Sequence, residues 1–283
     1  MPSRIGLLPA AVILLVAVCP SLAQAAPATA TCQGLQETGT EFATCSAHDP
    51  VDDGHGNEVV GTGEATADLV TGVLKSHSIA QAYSSGTIDV NAGASAIANI
   101  SDTITVGGGY SGIVELRMDV SGAFLLNDPV GFQFAPQLAA FLTTYTQTKE
   151  NTASVFVEEY SGGGGLFLDN PRIVGAATYS ADIDDLENVH VVLTSSFLVT
   201  PSTPTFSFDA RLGTSSAISH NNQGDHTHVS EVNFGDTAHL SLLLPEGVPW
   251  TSGSGVFLAP EPVEGALLAV GLLCLSAARR KLT

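Results

Sequence analysis

Positive charge is what this sequence has least of: 9 Lys and Arg stand against 28 Asp and Glu, a formal net charge of -19. Arg4 lies near the first residue and Arg279, Arg280 and Lys281 near the last. Only Lys75, Arg117, Lys149, Arg172 and Arg211 remain between residues 26 and 262. A body of that sign repels phosphate backbones and anionic lipid heads, which argues against nucleic acid as a partner. It suits neutral polysaccharide, divalent cations, or solubility outside the cell. Aromatic residues are also few, and Trp250 is the single tryptophan. Sugar sites stack their ligands on exposed aromatic rings, so Trp250 is the first carbohydrate-binding candidate, followed by Tyr110, Tyr160 and Tyr179. Packing in the core or in turns competes for each of them.

Cysteine is scarce too. Of 4, Cys19 and Cys274 fall in apolar stretches at the two ends, leaving Cys32 and Cys45. Two cysteines in an exported chain predict one disulfide, and their spacing is not that of a zinc site. The bond closes a loop of about fourteen residues, worth about 3 kcal/mol by chain entropy. One disulfide is not a framework, so the core must come from apolar burial.

Long apolar runs are confined to the ends. Arg4, the stretch from Ile5 to Val18, the breaker Pro20 and Ala23-Gln24-Ala25 make up a signal peptide, with cleavage expected after Ala25. Cys19 raises the alternative of a lipoprotein, but Val18 stands where lipid attachment needs a small residue. At the other end Pro260-Glu261-Pro262 precedes a run that is apolar from Gly265 to Ala278, then Arg279-Arg280-Lys281. From Val263 to Ala278 a helix would span about 24 Å, short of the roughly 30 Å hydrocarbon core. It engages a bilayer marginally, with the basic end held on the cytoplasmic side. A single-span anchor is the alternative to a signal that is recognised and cut away.

Those residues together resemble the PEP-CTERM sorting signal of Gram-negative bacteria. The resemblance implies an exosortase as processing partner, transient contact with the inner membrane through the C-terminal helix, and delivery to the cell surface, often beside exopolysaccharide. Glu264 and the trailing Leu282-Thr283 depart from the pattern. The stretch from Phe234 to Leu258 is likewise similar to the strand-turn-strand ending that precedes this signal in many such proteins. It implies an ordered domain ending near Leu258.

Between the ends, Gly, Ser, Thr, Ala and Val dominate, a mixture that favours strands and turns. Period-2 alternation recurs from Glu58 onward. Ala92, Ala94, Ala96, Ala98, Ile100, Ile104 and Val106 share one parity, broken only by Asp102, and their small size predicts close sheet packing. Val114, Leu116, Met118 and Val120 alternate with Glu115, Arg117 and Asp119. The run from Gln137 to Tyr145 reads as an edge strand or a short helix, because Pro136 interrupts pairing. Val189–Val199 and Phe206–Leu212 flank the Pro201–Pro204 turn as a hairpin or a sheet crossover. Val229–Phe234 and Ala238–Leu244 read as two strands joined at Gly235-Asp236.

Ten to twelve strands with no convincing helix and no fixed-period repeat predict an all-β protein, an antiparallel, jelly-roll-like β-sandwich. The expected division is a signal peptide over 1–25, a turn-rich segment with the disulfide over 26–57, the sandwich over 58–258, and the sorting signal with its apolar helix over 259–283.

Chemistry is harder to find. His226 and His228 on a strand would share a face, with His220 and Asp225 able to complete a metal site; the competing reading is a polar loop between strands. Asp49, Asp52, Asp53 and Asn57, which lack EF-hand spacing, or Asp182, Asp184, Asp185 and Glu187, offer oxygens to weakly bound calcium. Each is equally a polar turn. No carboxylate pair stands out as glycosidase-like, and there is no G-x-S-x-G elbow. The expectation is therefore a non-enzymatic, cofactor-free surface protein, structural or adhesive, within an extracellular polysaccharide matrix. The alternatives are a carbohydrate-binding module and, behind it, a metal-dependent hydrolase.

Overall fold

The structure, a computed structural model, describes residues 28–52, 58–84, 90–127, 132–134, 136–147, 149–159, 166–183, 185–220 and 226–258. The segments expected to be a signal peptide (1–25) and a sorting signal (259–283) lie outside these residues.

In chain order the strands begin with β1 (Ala28–Cys32), β2 (Leu35–Gly39), β3 (Phe42–Asp52), β4 (Glu58–Asp68), β5 (Val73–Ser84) and β6 (Val90–Val106). There follow β7 (Gly112–Leu126), β8 (Phe132–Phe134), β9 (Gln137–Tyr145), β10 (Glu150–Glu159) and β11 (Leu166–Val174). The last are β12 (Ala177–Asp182), β13 (Val189–Val199), β14 (Thr205–His220), β15 (His226–Leu243) and β16 (Trp250–Ser252). No helix occurs among the described residues. One sheet runs β11-β10-β9-β14-β6-β1-β2, with β16 on β6 and β8 on β14; the other runs β12-β13-β7-β15-β5-β4-β3. All pairings are antiparallel.

The two sheets face each other across a main core, with a smaller separate cluster of Ala80, Ala82, Ala92 and Ile218, because each strand turns one parity inward. On β7 the inward set is Val114, Leu116, Met118 and Val120, all fully buried. They meet Leu138, Ala140 and Leu142 of β9 and Phe206, Phe208 and Ala210 of β14 within the same cluster. Rings fill the gap: Phe197 and Phe206 lie 4.1 Å apart between centroids, and Phe208 and Phe257 lie 4.7 Å apart.

Toward β4, β5 and β6 the inward residues shrink to Gly, Ala and Ser, and the sheets close up. A Cβ added to Gly63 would stand 2.5 Å from the Ser95 carbonyl oxygen, and one on Gly61 would collide with the Gly93 carbonyl. At this spacing hydroxyls cross the interface. Ser76 Oγ donates to the Ala96 carbonyl at 2.8 Å, and Ser216 Oγ donates to the Ser78 carbonyl at 2.7 Å. Beyond this seam the Cys32–Cys45 disulfide joins β1 to β3, one strand from each sheet, with Cα atoms 5.9 Å apart.

Three expectations change, and at Pro201–Pro204 the crossover alternative holds. The segment expected to be turn-rich holds β1, β2 and β3, which belong to the sheets themselves, so the sandwich starts at Ala28. Residues Gln137–Tyr145 form an interior strand between β10 and β14, with Pro136 just outside it, where no ladder hydrogen bond is needed. The turn at Pro201–Pro204 is a crossover, carrying the chain from β13 in one sheet to β14 in the other. Gly235-Asp236 is no turn between strands but a bulge within β15. Four steps from Phe234 to Ala238 oppose two on β5, and the even excess keeps both residues facing inward. Asn233 Oδ1 accepts from the Gly235 amide at 3.0 Å and shapes the bulge.

Asp102, the break in the β6 apolar parity, is buried but fully used. Its carboxylate accepts from the Ser254 amide at 3.0 Å and from the Ser254 hydroxyl at 2.6 Å. That bond, with the Gly253 amide on the Thr103 carbonyl at 2.6 Å, folds the chain after β16 back over the sandwich edge. Phe257 is thereby buried beside Trp250 and Phe208.

Candidate functional site

His228 lies on the inward parity of β15 and is 1% exposed, so it belongs to the interior between the sheets. The Asp225 position and the side chains of His220 and His226 lie outside the described residues. Among the described residues no three His, Cys, Asp or Glu side chains are placed to hold a metal ion. Of the two acidic loops, Asp53, Asn57 and Asp184 and the side chains of Asp49 and Asp52 also lie outside them. Asp185 is spent on its own turn, accepting from the amides of Glu187 and Asn188 at 2.9 and 2.7 Å.

Trp250 is partly buried, its ring edge-on to Phe257 at 6.5 Å, and β16 pairs it with Val106. It therefore packs the C-terminal fold-back against the core. Tyr179 packs against the same core, and Tyr110 donates its hydroxyl to the Ile113 carbonyl at 2.9 Å. Tyr160 lies outside the described residues.

The outer face of the seven-stranded sheet carries a charged group that sequence reasoning did not single out. Asp119 receives Arg117 Nη2 at 2.6 Å and lies 2.7 Å from His190 Nε2. Burial works to raise the Asp119 carboxyl, but the hydrogen bonds and charges of His190 and Arg117 outweigh it and hold it below the usual aspartate range. The group stands on an open sheet face and fits a surface ion pair.

The outer face of the nine-stranded sheet is different. On β9 and β10 the outward rings Phe141 and Phe156 meet edge to face, centroids 5.2 Å apart. Arg211 of β14 holds its guanidinium 5.8 Å from the centre of the Phe141 ring. The edge strand β11 gains one residue against β10 between Arg172 and Asp169, and Pro171 falls in that bulge. There Pro171, Arg172 and Ile173 border a shallow groove of about 610 Å³ floored by Phe141, Phe156, Thr152 and Ser154. Thr152 and Ser154 sit on the outward parity yet are buried, so this part of the face is sheltered.

Next to the rings, burial pushes the Asp209 carboxyl up, against the opposing hydrogen bond from Asn99 and the charge of Arg211. Burial, with the charges of Glu150 and Asp209, also raises the Tyr145 phenol, which keeps it a neutral hydrogen-bonding group. Asn99 Oδ1 is buried with no hydrogen-bond partner. The face thus combines ring surfaces, two guanidiniums, a carboxylate and an unspent amide oxygen. The sequence did not mark this face, because Phe141, Arg211 and Asn99 lie on strands whose neighbours the sequence does not specify.

No protein-family model matches the chain, and no curated protein matches it. The functional reading therefore rests on the residues and their geometry.

Proposed function

We propose that the protein is exported, sorted to the cell surface and retained as a non-enzymatic structural or adhesive component of an extracellular polysaccharide matrix, after an exosortase removes its C-terminal tail. The observation that carries this reading is the way the sandwich ends. Asp102 binds Ser254, Phe257 is buried and Leu258 packs against the core, which closes the sandwich edge here. Pro260 stands two positions beyond Leu258, in keeping with the PEP-CTERM resemblance of Pro260-Glu261-Pro262 and Arg279-Arg280-Lys281.

The Cys32–Cys45 disulfide supports an oxidising compartment, since such bonds persist outside the cytosol. The jelly-roll-like reading of the sandwich is supported by late strands that return beside early ones, β14 next to β6 and β15 between β5 and β7. Intact mass of the protein recovered from native cells and medium tests the reading. Loss of residues 1–25 and of the segment beyond about Pro262 is the expected result. A mass that retains the tail makes it an anchor and ends the sorting proposal.

A further inference from the structure

We infer that the outer face of the nine-stranded sheet, centred on Phe141 and Arg211, is a binding surface for a neutral polysaccharide chain. This deepens the matrix reading by naming the face and the class of ligand.

A sugar chain presents three things: flat patches of C–H, hydroxyls that donate, and hydroxyl and ring oxygens that accept. The face answers each of them. Phe141 and Phe156 supply apolar ring surface, and their edge-to-face packing fixes the orientation of both. Arg211 and Arg172 are exposed donors. Asp209 is an acceptor beside Arg211.

Register lines these groups up. Arg172 is opposite Ser154, Ser154 opposite Phe141, Phe141 opposite Arg211, Arg211 opposite Asn99, and Asn99 opposite Thr29. Five inter-strand spacings at about 4.8 Å make a track of roughly 24 Å, long enough for several sugar units. The groove at the β11 bulge lies at one end of the track.

Charge selects a neutral chain. The molecule carries a net charge of -19, which repels a polyanion at a distance. Two of the five cations between residues 26 and 262 stand on this track, so it lacks the one-sided negative charge of the chain as a whole. Arg211 is balanced in turn by Asp209 two residues before it.

Affinity electrophoresis of the full chain in a zwitterionic detergent tests the inference, with gels containing neutral glucans, galactans or mannans and, separately, a polyuronate. Retardation by at least one neutral polysaccharide is expected, weakened at least tenfold by Arg211→Met and by Phe141→Ala, and unchanged by Trp250→Phe. Arg211 is exposed, so Arg211→Met keeps the fold, and an unchanged Tm for that variant verifies it. Absence of retardation in every neutral gel overturns the inference, as does retardation by polyuronate alone or wild-type binding by Arg211→Met. Because the tail plays no part in this assay, failure here leaves the mass result untouched, and retention of the tail leaves the binding result untouched.

Discussion

The sandwich is held together in two ways. Between β7, β13 and β15 on one side and β9, β10 and β14 on the other, the space is filled by Val, Leu, Met and Phe, and cohesion comes from side-chain volume. Between the Gly61–Ala67 part of β4 and the Ser76–Ala82 part of β5 on one side and the Ala92–Ala98 part of β6 on the other, the inward residues are Gly, Ala and Ser, so there is little volume to bury. There the sheets approach until a backbone carbonyl of one is in reach of a hydroxyl from the other. The first region tolerates adjustment, because a side chain can move to another rotamer. The second does not, because the groups in contact are main chain. Its edge is also where the covalent cross-link sits, and the disulfide offsets what a thin core cannot supply.

The largest blow to this contrast is expected in the thick region. Phe206→Ala removes a ring packed against Phe197 and leaves a cavity, with a loss of about 3–5 kcal/mol in denaturant unfolding. Replacing both cysteines with serine releases the loop between β1 and β3 and should cost about 3 kcal/mol, again by denaturant titration. If the cost were near zero, the small-residue seam would be self-sufficient, and the bond would be ornamental rather than compensatory.

Gly63→Ala adds one methyl group where the Ser95 carbonyl already stands, and about 1–3 kcal/mol should be lost. The same change at Gly213 is the internal control: its nearest neighbour, Ile97 Cγ1, lies 3.6 Å from the added Cβ, an ordinary contact, so the loss should be smaller. Equal effects at the two sites would mean that the Ser95 carbonyl does not limit how near the sheets come.

The smallest effect expected is on the outer face. Asp209 titrates higher in the folded protein than in the unfolded chain because burial penalises its charge. The folded state therefore holds the proton more tightly, and stability falls as pH rises through the ordinary aspartate range up to the raised value. Asp209→Asn should give a small gain in Tm at neutral pH, and that gain should disappear in acid, where Asp209 is protonated in the folded and the unfolded state alike. A gain that persists in acid would point to packing instead.

Much of this molecule was legible in advance, and the parts that were not share a cause. The parity of Val114 to Val120, and of Ala92 to Val106, gave the core faces directly, since alternation is a property of one strand by itself. The pairing of Cys32 with Cys45 followed from there being no other partners in the body. Gly235-Asp236 misled, because two apolar segments with glycine between them look the same whether the chain reverses or bulges. Only the neighbours β5 and β7 distinguish the two. The aromatic face could not be read at all. Phe141, Arg211 and Asn99 are far apart in the chain and become adjacent only through the order β9-β14-β6.

By itself, then, the sequence determined strands rather than helices, which side of the clearest strands faces in, and the cross-link. These depend on residue type and on short-range spacing. The tertiary structure decided which strands are neighbours, how near the two sheets come, and which outward residues share a surface. Those are relations between distant segments, set by how the whole chain closes its core.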